Sequence, residues 1–258
     1  MKRALLYLGL GLVTLLLFLA VTAPARLVAR TLAEHTPLRL EGVQGSLWNG
    51  RAQRLSAEGR PLAENLSWRV FPTAVLRGRL ELRLELAGGP TAPRGRLDAR
   101  LLTGGVLRLE DVALEAPADW AARLAALPFG LGGRLHIELD ELELRPDRRP
   151  GRARGRIDWR DAAVLSPAPQ PLGAYRIELQ HEPADDPQRV VGTLRDLEGP
   201  LHAQGTLTHQ PDGSLAVDLL LDGRRAPPAV RDVLPLLGRV QDDGRVRLQR
   251  RLQPVTGR

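Results

Sequence analysis

The residues able to do chemistry are few and scattered. Five histidines, His35, His136, His181, His202 and His209, carry the side chain most used for proton transfer and metal binding. None has a second histidine or a carboxylate at helical metal-ligand spacing. His202 and His209 are expected on successive strands, where they could meet across a sheet. Asp185-Asp186 and Asp242-Asp243 resemble paired acid–base carboxylates, but both precede turn formers and neither has a nucleophile beside it, so turn initiation is the simpler reading. Arg145, Arg148, Arg149, Arg152, Arg154 and Arg156 form a basic cluster interrupted by Asp147. Such a cluster suits anionic headgroups or an acidic protein surface, worth about 1 kcal/mol per cation near a charged membrane. The bland alternative is a solvated loop. No G-x-S-x-G, H-E-x-x-H, phosphate-loop or dinucleotide fingerprint is present. The sequence therefore predicts no catalytic residue, metal or cofactor, and no enzyme.

The elements that would position any site are short. Among 258 residues, Gly 26 and Pro 21 break the chain too often for a long-helix bundle. Cys 0 excludes disulfides and thiol chemistry. A net charge of +7 points to an acidic partner, with Lys2 the lone lysine among the cations.

Residues 4–23 read ALLYLGLGLVTLLLFLAVTA without a charge. A helix of twenty residues rises about 30 Å and matches a bilayer core. Lys2 and Arg3 before it keep residues 1–3 cytoplasmic and send the remainder outward. A cleaved signal peptide is the competing reading, with Ala23-Pro24-Ala25 as the small-x-small site. Its apolar core would ordinarily be shorter, about 7–15 residues, and Pro24 sits inside the proposed site, so an uncleaved inner-membrane anchor is preferred. Export to the periplasm removes nucleic acid as a partner. Residues 24–36 continue helical spacing as a juxtamembrane helix.

From Pro37 the period becomes two, and 37–258 reads as one periplasmic antiparallel β domain. Leu80, Leu82, Leu84 and Leu86 alternate with Arg79, Glu81, Arg83 and Glu85, placing leucines on one face and cross-strand charge pairs on the other. The alternation recurs at Leu38/Leu40, Leu135/Ile137/Leu139, Ile157/Trp159, Tyr175/Ile177/Leu179, Leu201/Ala203, Leu215/Val217/Leu219/Leu221 and Val246/Leu248. It slips phase at Asp140-Glu141, where a bulge or bend is expected. Pro211-Asp212-Gly213 forms a hairpin turn. Glycine recurs before aliphatic residues at Gly45, Gly78, Gly95, Gly133, Gly155, Gly192, Gly205 and Gly244, read as strand punctuation. Residues 116–127 and 229–237 look helical, the second shortened or broken by Pro235, and residues 145–154 look like a loop dividing the β region in two. A strand with four leucines would lose several kcal/mol if its apolar face stayed wet, at about 1.5–3 kcal/mol per leucine. One or two short helices cannot cover so many strands. The sheet is expected to curl into a half-barrel or barrel-like shape, or to leave an apolar groove open to lipid or a partner.

Three ordered stretches accompany the apolar segment. The first is GVQGSLWNGRA, containing Gly42, Gly45, Ser46, Leu47, Trp48 and Gly50, followed by Leu66-Ser67-Trp68-Arg69 and then Leu76-Arg77-Gly78. The second runs from GRARGRIDWRDA, with Gly155 and Trp159, to Leu172-Gly173-Ala174-Tyr175. The third joins Leu236-Leu237-Gly238-Arg239 to Asp243-Gly244-Arg245. In this order, and over essentially the whole length, the chain resembles the type II secretion system protein N family, also called general secretion pathway protein N. The resemblance implies a non-enzymatic inner-membrane component that supports export of folded proteins through contacts with other apparatus proteins. The motif residues are expected to maintain the fold. The rival reading is a periplasmic lipid-handling β protein, from its aliphatic sheet face.

Overall fold

The computed structural model describes residues 22–252, apart from 76, 126, 128, 147–149, 167, 182–189 and 211. The apolar segment 4–23 lies almost wholly outside the described residues, as does Asp185-Asp186. Among the described residues no helix is long and apolar enough to cross a membrane.

Among the described residues fifteen strands form one antiparallel sheet, the longer ones built on alternating apolar and polar side chains. They are β1 (Leu38–Glu41), β2 (Gln44–Gly45), β3 (Asn49–Ala57), β4 (Arg60–Val70), β5 (Leu80–Leu86), β6 (Arg94–Leu101), β7 (Leu107–Pro117) and β8 (Leu131–Leu144), then β9 (Pro150–Val164), β10 (Gln170–His181), β11 (Val190–Glu198), β12 (His202–His209), β13 (Leu215–Asp222), β14 (Arg239–Val240) and β15 (Val246–Leu252). From β3 to β13 each strand pairs with the next in sequence, β15 pairs with β13, and β1 and β14 form the two edges. The helices are α1 (Arg26–His35), α2 (Pro72–Val75), α3 (Ala118–Leu124) and α4 (Pro228–Leu237).

One register row of small and aliphatic residues crosses twelve strands: Ala52, Leu66, Leu86, Gly95, Leu114, Ile137, Ile157, Ile177, Leu194, Gly205, Leu219 and Leu248. Two clusters of buried residues pack along it. Ala25 before α1 packs on Ala52 and Trp68, and Leu234 of α4 packs with Tyr175, Ala203, Leu221 and Val246. From Leu86 to Ile177 the row is half-buried, and Leu194, Leu219 and Leu248 at its far end pack against the second cluster. The opposite face carries ion pairs from strand to strand. Arg83 meets Asp98 (2.7 Å), Arg100 reaches both Glu81 (3.7 Å) and Glu110 (2.6 Å), Arg156 meets Glu138 (2.6 Å), Arg176 meets Asp158 (2.6 Å) and Arg247 meets Asp218 (2.7 Å). The exposed pairs contribute about 0–1 kcal/mol each; Arg176–Asp158 differs, its carboxylate being buried. They pin the register and occupy many of the arginines behind the positive charge.

The sheet curves without closing. The indole of Trp120 in α3 donates to Leu62 O of β4 (2.9 Å), while α3 also packs on β7 and β8. In a flat sheet β4 and β8 would stand about 19 Å apart, and a seven-residue helix is about 10 Å long, so the strands bend around α3. The edges never meet: β1 (four residues) and β14 (two) each pair with one neighbour. A closed barrel is thereby ruled out among the described residues, and the expected curling reduces to an open, bent sheet.

Several local expectations are met. β5 spans Leu80–Leu86, the register of β8 on β9 shifts between Leu139 and Glu141, and Asp212-Gly213 turns β12 into β13. Others need correction. Residues 150–154 belong to β9, which pairs with β8, so the sheet continues across this stretch and is not divided in two. The helix expected over 116–127 spans Ala118–Leu124, because Ala116 and Pro117 still pair with β8. The helix α4 continues through Pro235 to Leu237, and α2 is an extra helical turn with no periodic signal. Gly155 and Gly205 lie well within strands, whereas Gly95 and Gly192 stand near the starts of theirs as expected. At Gly205, φ is +152° and an added Cβ would stand 2.0 Å from Asp218 O. Only glycine lets β12 approach β13 that closely.

Candidate functional site

The first motif builds a joint. Gly45 ends β2 and Asn49 begins β3, and between them Ser46 N donates to Asn49 O (2.9 Å) while Asn49 N donates to Ser46 Oγ (3.1 Å). The segment leaving the apolar N-terminus docks onto this turn: Leu47 N donates to Ala23 O (2.8 Å) and Ala25 N to Gly45 O (3.1 Å). Gly42, with φ +66°, turns the chain between β1 and β2. On the inner side Trp68 lies opposite Gly50, its indole donating to Leu47 O (3.1 Å), and Val70 N donates to the carbonyl of the half-buried Trp48 (2.7 Å). A Cβ on Gly50 would stand 2.3 Å from the Trp68 ring. Glycine is needed there for space. The spacing of glycine, small polar and aromatic residues thus seats residues 23–25 on the sheet by main-chain bonds.

The second motif is internal. Trp159 of β9 and Tyr175 of β10 are cross-strand partners, with ring centroids 5.9 Å apart at 45°. Trp159 Nε1 donates to Gly132 O (2.9 Å). The Tyr175 hydroxyl lies 2.8 Å from Leu201 O and 3.0 Å from Leu172 O and donates to one at a time. Burial pushes its ionisation well above the ordinary tyrosine range, with Asp196 adding to the effect. Gly155 faces Leu139 and Leu179, and Gly173 lies at a register shift against Glu198 O. In the third motif Gly238 lies against Arg247 O as α4 leads into β14, while Asp243 and Gly244 form the turn into β15, Asp243 Oδ1 accepting from Arg245 N (3.0 Å).

These motifs are not brought to one pocket. They lie at three places in the sheet, each holding a glycine whose added Cβ would strike neighbouring main chain.

The sequence profile described as "Type II secretion system (T2SS), protein N" matches residues 36–249. The chain belongs to the type II secretion system protein N family. It is therefore a component of that secretion system. It is similar to Type II secretion system protein N of Aeromonas hydrophila (30% identical over 262 residues, covering 96% of this chain and 98% of that protein). It is also similar to the protein of the same name from Klebsiella pneumoniae (32% identical over 246 residues, covering 93% of each). No solved structure matches it.

The remaining candidates of this family member separate. His202 and His209 begin and end one strand, β12, so they are about 23 Å apart and do not meet. His202 Nδ1 instead lies 2.6 Å from Asp196 Oδ2. His35 Nδ1 lies 3.0 Å from Thr31 O. Among the described residues no cluster of three metal-ligating side chains occurs. Asp243 acts as the turn acid expected of it, and its carboxyl is held below the ordinary range by Arg245.

Sequence reading missed Asp158, which is 5% exposed and bonded through both carboxylate oxygens to Arg176 (2.6 and 2.7 Å). The Arg176 guanidinium holds the Asp158 carboxyl below the usual carboxylate range. Its only sequence signal is a place beside Trp159 in the second motif. Trp120 was missed likewise, because its partner lies 58 residues away.

Proposed function

We propose that this protein is an inner-membrane-anchored component of the type II secretion system that supports export of folded proteins across the outer membrane through contacts with other apparatus proteins. In this reading residues 1–3 are cytoplasmic, 4–23 span the membrane once, 24–36 lead out of it and 37–258 stand in the periplasm. The carrying observation is the joint: Ala23 and Ala25, at the end of the uncharged apolar segment, are hydrogen-bonded to the turn of the most specific family motif. A membrane segment so seated fixes the orientation of the sheet, which a flexible tether would not. The motif residues serve the fold, and no catalytic step is assigned to any of them.

Deleting the gene and complementing it with the full chain tests the reading. Exoprotein in the medium should fall on deletion and return on complementation. Unchanged secretion with failing outer-membrane permeability would overturn it and favour the lipid-handling alternative. That alternative draws on one observation, the half-buried row of mostly aliphatic residues from Leu86 to Ile177. Photocrosslinkers at Leu82 or Ile137 that label protein or nothing, never lipid, remove it.

A further inference from the structure

All strand connections fall on two rims of the sheet. The rim that receives residues 23–25 also carries the connections β4–β5, β6–β7 and β8–β9, whereas α3 and α4 lie at the other. The first rim displays a second set of features. Val75 of α2 is 41% exposed. Leu80 and Leu101, cross-strand partners at the ends of β5 and β6, are 39% and 41% exposed. Beside them Arg77 and Arg79 are exposed, and neither meets a carboxylate among the described residues, unlike the paired arginines of the polar face. Phe71, leading into α2, lies beneath the Arg83 guanidinium (5.9 Å). Five strand spacings, about 24 Å, separate β3 from β8. The exposed leucines and free arginines therefore lie within a short distance of the exit of the apolar segment.

We propose that this rim is a membrane-contacting surface: Val75, Leu80 and Leu101 dip into the headgroup region while Arg77 and Arg79 bind the phosphates of anionic lipid. The proposal rests on residues 4–23 being a membrane anchor. The occupant follows from where that segment leaves the fold and from charge complementarity. Exposed leucines are costly in water and favourable at a lipid interface, and unpaired arginines beside them match an anionic leaflet. The sheet then stands on the membrane by two attachments: the anchor holds it there, and this rim sets how it sits on the surface.

The chain has Cys 0, so single cysteines can be labelled without background. Full-length Leu10→Cys, Val75→Cys, Leu101→Cys and Leu236→Cys variants, each carrying an environment-sensitive fluorophore, are reconstituted into phosphatidylethanolamine/phosphatidylglycerol vesicles containing both shallow and deep spin-labelled lipid. Leu236, 77% exposed on α4 at the opposite rim, is the reference. Quenching at positions 10, 75 and 101 but not 236 is the expected result. Adding Arg77→Gln with Arg79→Gln lowers the docked-to-undocked ratio at 75 and 101 roughly 30-fold and leaves position 10 unchanged. Quenching at position 10 with positions 75 and 101 as unquenched as 236 overturns the proposal and leaves the anchor standing. No quenching at position 10 overturns the anchor itself. Quenching at 75 and 101 that is equal in phosphatidylcholine vesicles and indifferent to the two glutamines overturns the role of anionic lipid.

Discussion

Replacing Gly50 by alanine tests the joint directly. Gly50 is outside the left-handed backbone region, so alanine meets no conformational penalty there, only a steric one. The new methyl would lie 2.3 and 2.6 Å from two atoms of the Trp68 ring and 2.9 Å from Ser46 O. Trp68 is 6% exposed and packs against Ala25 and Ala52, so the indole cannot move aside freely. Overpacking of this kind costs about 1–3 kcal/mol, and displacing the indole from Leu47 O costs about 1 more. The sum, about 2–4 kcal/mol, lowers the melting temperature by roughly 5–15 °C for a domain of this size. Trp68→Leu is itself destabilising but removes the ring the methyl strikes. In that background Gly50→Ala should cost about 1 kcal/mol, the remainder coming from Ser46 O. Urea unfolding of the detergent-solubilised full chain, followed by far-ultraviolet circular dichroism, gives all four corners of the cycle. A coupling of about 1–3 kcal/mol is expected. Additivity within about 0.5 kcal/mol would refute the claim that Gly50 exists to admit the Trp68 ring.

Gly205→Ala should cost at least about 3 kcal/mol, because its Cβ strikes the Asp218 carbonyl, against about 1–2 kcal/mol for Gly59→Ala, where φ is also positive (+78°) but nothing lies within 4 Å; equal melting temperatures for the two variants would contradict this. Tyr175→Phe should cost about 1–2 kcal/mol in the same unfolding assay, since Leu201 O loses its hydroxyl donor in a buried setting. Asp158 and Asp218 are held low when folded, Asp158 by Arg176 and Asp218 at about 2 by Arg247 and Gln249. A depressed folded value means stability that is present above the unfolded value, about 3.9, and is lost as pH falls toward the folded one. Stability should therefore fall between about pH 4 and pH 2, and Asp158→Asn should flatten part of that slope; an unchanged slope would show that Asp158 takes no part.

Local chemistry was written plainly in the chain. Period-two leucines marked β5 within residues 78–86, because a half-buried strand has one dry face and one wet one. The Asp140-Glu141 phase slip marked a true register shift, and Asp212-Gly213 and Asp243-Gly244 turned where their side chains and freedom allow. The charges of the polar face were legible as cross-strand pairs, though not which arginine would meet which acid. Tertiary structure decided whatever depends on contacts between distant backbones. An open edge cannot be read from alternation, since a strand has the same pattern whether or not its last neighbour returns to the first. Glycines within strands looked like glycines at strand starts, because only the partner strand reveals the missing Cβ as a close approach. The motif GSLWNG was visible as letters, but its role as the seat of Ala23 and Ala25 required Trp68 to cross from β4 and fill the space above Gly50.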